Sequence, residues 1–354
     1  MSQHFARALV TLVLIAGSVT GQQPAVKEKI VTTDHQNIKA TITYEIKTTT
    51  FAAGRWLVYI AEPPELPSQA KVKVTAEPKS EVGPEKSPLA RPVRYFDVTV
   101  PNPVPGTGLT IKQEIQATLR TRKLVPLGAG EKAPKVPPLT AAEHKFYTAP
   151  SPVVDFEAKP FQEWLDKKKL RAKKGELPLT FAARVVEVIR ADYKYQTGVK
   201  QNQNASAVCA RNTGDCASMS PLFVAALRAN KFPARLLVGR LAKPRVPGTR
   251  DADSDYPHVR TEVFVTGVGW VPVDPTYANG DKTKPVTAFI GTDPGDMLVL
   301  HVDVDMQLQF LGQQTTAGFL QGAPNYKAFG KGAFDGTFGP SGWELKATPV
   351  GKKK

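Results

Sequence analysis

Residues 214–239 read Gly-Asp-Cys-Ala-Ser-Met-Ser-Pro-Leu-Phe-Val-Ala-Ala-Leu-Arg-Ala-Asn-Lys-Phe-Pro-Ala-Arg-Leu-Leu-Val-Gly. Met219, Leu222, Phe223, Ala226 and Leu227 recur at i, i+3, i+4 spacing, so the spacing predicts a helix with a core-facing stripe. Leu236-Leu237-Val238 then reads as a short apolar strand. Cys216 falls at the helix start, where backbone N–H groups are unpaired and the dipole is positive. Both favour thiolate over thiol. Gly214 permits close approach, Asp215 is a good N-capping type, and Ser218 and Ser220 keep the cysteine's surroundings polar. Pro221 removes one interior hydrogen bond. Either the regular helix begins near Ser218 or it is locally distorted.

Working outward, His258 opens an alternating strand, His-Val-Arg-Thr-Glu-Val-Phe-Val, and its ring shares a face with Arg260 and Glu262. Asp274 follows Gly-Trp-Val-Pro-Val and precedes Pro275, which holds it extended at a strand end. Singly these are ordinary residues, a satisfied polar histidine and a turn aspartate. In the order Cys, His, Asp they are a nucleophile, its base and the base's orienter.

These three segments resemble the core motifs of the transglutaminase-like superfamily, most closely over residues 214–276 and more weakly from about Tyr147 to Trp343. The resemblance implies a papain-like α+β fold, with the cysteine-bearing helix packed on an antiparallel sheet. Residue by residue it makes Cys216 the nucleophile, His258 the base and Asp274 the orienter. Where the family commonly has an aromatic residue two places after the histidine, this chain has Arg260. An upstream second oxyanion donor is also expected, with Gln196, Gln201 and Asn212 as candidates. The implied chemistry passes an amide carbonyl to the thiol and then to water or to a lysine amine. The expected partner is a protein or peptide substrate, cell-wall peptide included. The runner-up is a non-catalytic binding or scaffold protein that keeps the fold.

Upstream, Lys39–Ile46, Arg55–Ile60, Lys71–Val74, Tyr95–Val100 and Thr110–Ile115 alternate or are rich in β-branched residues, with Pro and Gly clusters between them. Such a series over residues 27–125 implies a β-sandwich. A proline-rich linker is expected at 126–160 and the α+β unit at 161–348. Within that unit Phe161, Trp164 and Leu165 begin one helix, and Phe181, Val185, Val188 and Ile189 line another. Asp192–Gln203 is loop-like, with Tyr193 and Tyr195 as packing residues.

The chain of 354 residues has 41% apolar and 22% charged residues, ordinary for a globular protein of two domains. Arg7 followed by the short apolar run Ala8–Ala16, then Gly17, Ser18 and Gly21, reads as an export signal over residues 1–21, or as an uncleaved anchor. Secreted or periplasmic placement follows. No later segment reads as an integral membrane span.

The net charge is +15, and Lys159–Lys174 carries seven basic and two acidic residues. No nucleic-acid motif accompanies the charge, so a solvated lysine-rich face is the expectation. No Cys-x-x-Cys, His-Glu-x-x-His, Gly-x-Ser-x-Gly or phosphate loop occurs, which argues against a metal or cofactor. Two cysteines make no disulfide framework. Cys209 is expected in a polar loop as a free thiol, the alternative being a redox-sensitive bond to Cys216.

Overall fold

The computed structural model describes residues 27–196, 202–242, 257–338 and 342–351. The expected export signal, the loop 244–256 and Gln201 lie outside the described residues.

The first part is strand-rich: β1 (Glu28–Lys47), β2 (Ala52–Ala61), β3 (Gln69–Glu77), β4 (Glu81–Pro84), β5 (Pro92–Thr99) and β6 (Leu109–Pro126). Period-two patterning becomes alternate burial. Ile38, Ala40, Ile42, Tyr44 and Ile46 of β1 face inward while the residues between them do not. β1 pairs antiparallel with β6, setting Ala40 against Ile115 and Tyr44 against Ile111. A second sheet places Trp56 and Val58 of β2 and Phe96 of β5 into the same apolar core. Each such side chain contributes about 1.5–3 kcal/mol of burial energy.

Residues 126–160 are more than a linker. They carry α1 (Ala141–Phe146), whose N-terminus is closed by a reciprocal Thr140–Glu143 capping box. Tyr147, Val154 and Phe156 of this stretch are buried. Thr-x-x-Glu is the local signal here, obscured by the surrounding prolines.

The cysteine-bearing part follows as α2 (Lys159–Lys167), α3 (Pro178–Asp192), β7 (Lys194–Tyr195), α4 (Ala205–Arg211), β8 (Thr213–Gly214), α5 (Cys216–Ala229), β9 (Ala234–Leu241), β10 (Pro257–Val265), β11 (Gly269–Val273) and α6 (Pro275–Gly280). The chain then forms β12 (Thr292–Asp293), β13 (Met297–Val302), β14 (Met306–Phe310) and β15 (Gln313–Ala317). β11, β10, β9 and β13 make one antiparallel sheet. The predicted stripe on α5 is buried, and so are Val224 and Ala225 on its other side. α5 is therefore a central helix, with the sheet on one side and α3 and α4 on the other. It begins at Cys216 and runs through Pro221, so the helix does not start late. Ser220, fully buried, donates to the Val259 carbonyl at 2.8 Å and ties the helix to β10. No helix among the described residues is long and apolar enough to cross a membrane.

The last strands, β16 (Asn325–Lys331), β17 (Thr337–Phe338) and β18 (Gly342–Pro349), return to the strand-rich part. β16 pairs with β2, whereas β17 and β18 pair with β1, Trp343 opposite Ile42 and Leu345 opposite Ala40. β12 likewise pairs with β6, Asp293 opposite Arg122. Sequence order grouped residues 325–348 with the cysteine-bearing unit. Alternation specifies a strand but not its sheet, and the second edge of β1 is a row of unpaired donors and acceptors that β18 satisfies.

Candidate active site

β7 and β8 pair in parallel and lead the chain to α5. A Cβ on Gly214 would lie 2.6 Å from the Ser218 Cβ, so glycine is required where the chain enters the helix. Asp215 holds the N-cap position, yet its side chain makes no cap bond. Its carboxylate accepts instead from the Ser218 hydroxyl at 3.1 Å.

Cys216 is 4% exposed and its thiol donates to the Pro257 carbonyl at 3.6 Å, one residue before His258. Burial pushes the thiol up to about 12, and the Asp215 and Asp274 charges add to this. The amides of Val259 and Ala217 act in the opposite direction. The helix terminus was expected to favour a thiolate; desolvation acts against it and raises the thiol.

His258 and Asp274 are brought together directly. Nε2 and Oδ2 lie 2.9 Å apart, and both residues are buried. The second oxygen, Oδ1, accepts from the Tyr277 amide at 2.9 Å, so the same aspartate is the N-cap of α6. The turn reading and the orienter reading of Asp274 are thus compatible. Tyr277 stacks on the imidazole with ring centroids 4.8 Å apart. Gln321 donates to the His258 carbonyl at 2.8 Å. Both residues were missed in the sequence. Nothing local distinguishes Gln321, whereas Tyr277 stands three residues after Asp274 in a helix opening that Pro275 announces.

Arg260 is the departure that matters most. It is buried, and its Nε donates to the same Asp274 oxygen that holds His258, at 3.1 Å. The resemblance marked position 260 only for a missing aromatic ring. Burial would push the Asp274 carboxyl up, but the interaction with His258, the Arg260 charge and the Tyr277 amide outweigh it and hold it at about 2, below the usual 3.8. A carboxyl depressed on folding stabilises the native state above its unfolded pKa, and that stabilisation is lost as pH falls from about 4 through 2. A shift of this size corresponds to about 2 kcal/mol. Urea unfolding between pH 6 and pH 2 is expected to lose stability less steeply in Asp274→Asn than in the native chain; equal slopes would remove this pair from the acid response.

Gln196 donates its backbone amide to the Gly214 carbonyl at 2.9 Å, which places it beside the start of α5. Asn212 instead terminates α4 in a left-handed conformation, and its carbonyl is taken by Lys194. Cys209 lies in α4 rather than in a polar loop, and both cysteines are buried free thiols. Burial pushes Cys209 up to about 11. Tyr193 is buried as expected, but Tyr195 is 41% exposed. Tyr195 lines a cavity of about 490 Å³ beside His258, with Leu241, Thr276, Tyr277 and Phe289. Among the described residues, no group of three or more His, Cys, Asp or Glu side chains is placed to hold a metal ion.

Residues 167–275 match the transglutaminase-like superfamily and form a transglutaminase-like domain. No curated protein matches the sequence. Among solved structures, a protein of Cytophaga hutchinsonii named as a candidate cysteine protease is 12% identical, with a TM-score of 0.57 over 92% of this chain and 94% of its own. That likeness extends through nearly the whole fold. The periplasmic domain of TgpA from Pseudomonas aeruginosa is also 12% identical, with a TM-score of 0.34 over 70% of this chain and 91% of its own.

Proposed function

We propose, from the transglutaminase-like domain at residues 167–275, that this chain is a thiol enzyme acting on amide bonds, with Cys216 as nucleophile, His258 as base and Asp274 as orienter. The observation that carries the proposal is the buried His258–Asp274 pair, with the Cys216 thiol bonded to the Pro257 carbonyl one residue before His258. Asp274 occupies Nε2, which leaves Nδ1 to exchange a proton with the sulfur.

With burial favouring the thiol, the sulfur leaves the Pro257 carbonyl and passes its proton to His258 as it attacks. The sulfur bonds to the amide carbon and the carbonyl oxygen becomes an oxyanion. α5 supplies backbone N–H groups at its first turn, and Gln196, whose backbone pairs with Gly214, is a candidate second donor. The amine then departs with the proton from His258, leaving a thioester. Water, deprotonated by His258, releases the acid; a lysine amine in place of water gives a cross-link. The aromatic cavity beside His258 suits an extended peptide or an acyl side chain. We favour hydrolysis of peptide or wall-peptide amides outside the cytoplasm, since residues 1–21 read as an export signal.

The test is incubation with peptide, glutamine-donor and wall-peptide amides, followed by acid quench and intact-mass analysis. A mass increase equal to the acyl group and mapping to Cys216 is expected. The burial of the Cys216 thiol against the Pro257 carbonyl is the observation that favours a binding protein retaining the fold. In that case substrate binds with no acyl adduct, and the enzymatic assignment fails.

A further inference from the structure

Arg260 joins the candidate site to carboxylates from three separate elements. Its Nε bonds Asp274 at the end of β11 at 3.1 Å, its Nη1 bonds Asp293 of β12 at 3.1 Å, and its Nη2 bonds Asp296 just before β13. Asp293 and Asp296 are themselves buried. β12 belongs to the sheet of β1 and β6, not to the sheet of β10. Asp293 Oδ1 also accepts from the Gly295 amide at 2.9 Å, so the carboxylate is held from its own loop as well. The guanidinium lies 5.4 Å from the centroid of the Tyr277 ring, which stacks in turn on His258.

We propose that Arg260 is a positioning residue that anchors the Asp274–His258 pair to the strand-rich part through Asp293 and sets how readily the pair takes up a proton. This rests on the reading of Cys216 and His258 as nucleophile and base. The planar guanidinium fits three carboxylates in fixed directions, which a lysine cannot reproduce. It shares the Asp274 oxygen with His258, so the carboxylate that orients the imidazole is itself held by a second buried bond. Its charge lies on the Asp274 oxygen that holds His258, and it is shared with Asp293 and Asp296, burial pushing the Asp293 carboxyl up and the Arg260 charge opposing this. Other charged or titratable groups on this side of the fold include Arg122 from β6, which stands opposite Asp293, Cys216 and Asp215 from α5, Arg240 from β9, Tyr277 from α6, and Asp281 and Lys284 beyond it.

Opposite signs make the proposal testable. The rate of Cys216 alkylation by iodoacetamide is followed from pH 4 to pH 9, with modification mapped by peptide mass to separate Cys216 from Cys209. Arg260→Gln removes the positive charge, and the acid limb is expected to move up by about one pH unit. Asp293→Asn leaves Arg260 less neutralised, so the limb moves down. Arg260→Lys keeps the charge, hence the native limb, but lowers the plateau because the imidazole is less well held. Cooperative thermal unfolding verifies each fold; if Arg260→Gln does not fold, the Asp293→Asn and Arg260→Lys profiles decide. Shifts of the same sign in Arg260→Gln and Asp293→Asn, or an unshifted limb in either of these two when folded, overturn the proposal. His258→Gln separates the two levels of inference. If it abolishes the limb while the other variants do nothing, only the role of Arg260 fails. If it leaves the native profile unchanged, the base assignment fails and the role of Arg260 with it.

Discussion

Cys216→Ala will bring turnover down to the uncatalysed background, a loss on the order of 10⁵–10⁶-fold, in a protein that still folds. The expected size follows from covalent chemistry. Without sulfur no thioester forms, and the remaining N–H groups and cavity bind substrate without supplying a nucleophile. The fold should survive, because the deletion removes one atom from a helix whose Leu222, Phe223, Ala226 and Leu227 remain buried on their neighbours. The residual void at the helix end costs about 1 kcal/mol. Circular dichroism and a cooperative melt establish the fold, and steady-state assay of the amide found by the acyl-trapping screen measures the loss. A folded alanine variant that turns over substrate at the native rate would leave the chemistry with some other group.

Asp274→Asn comes second, with an expected fall in kcat of about 10³–10⁴-fold. The carboxylate has two separate tasks. Oδ1 accepts from the Tyr277 amide, and Oδ2 accepts from both His258 and Arg260. An asparagine has one acceptor oxygen and one donor NH₂. If the oxygen keeps the cap, the NH₂ confronts the Arg260 Nε–H and forces His258 to accept at Nε2. The imidazole proton then sits on Nδ1, and the ring can no longer take the proton from the sulfur. If the amide flips, the NH₂ opposes the Tyr277 N–H and loosens α6. Either orientation buries a donor against a donor, which costs about 1–3 kcal/mol of stability. The paired readout is kcat on the identified substrate and the urea midpoint. Native kcat in a folded variant would make Asp274 a capping residue alone.

The pattern of success and failure in the sequence is physical. The α5 stripe, the β1 alternation and the apolar run in β9 were legible because side-chain periodicity is a local consequence of backbone geometry. Gly-Asp-Cys, His258 and Asp274 were legible because each stands at an element boundary marked by glycine, proline or a change of period. Thr140–Glu143 was equally local, and the proline-rich setting hid it. The placement of residues 325–349 was not local at all. Trp343 and Leu345 alternate as any strand would, and their pairing with β1 is set by an open sheet edge some 300 residues earlier in the chain.

The protonation of Cys216 belongs to the same class. A helix N-terminus favours thiolate, and only the packing of α5 on β10 shows how completely the sulfur is removed from water. Arg260 shows the division most clearly. From the sequence it is a charged residue two places after a histidine, a pattern that fixes its face on the strand. What it does there depends on three aspartates that the chain delivers from 14, 33 and 36 positions away. The sequence by itself determined the helices, the strands and the order Cys, His, Asp, because those follow from neighbours within a few residues. The tertiary structure decided the sheet to which each strand belongs, the charge on the sulfur and the partners of Arg260, because burial and Coulomb interactions depend on distance in space rather than on separation along the chain.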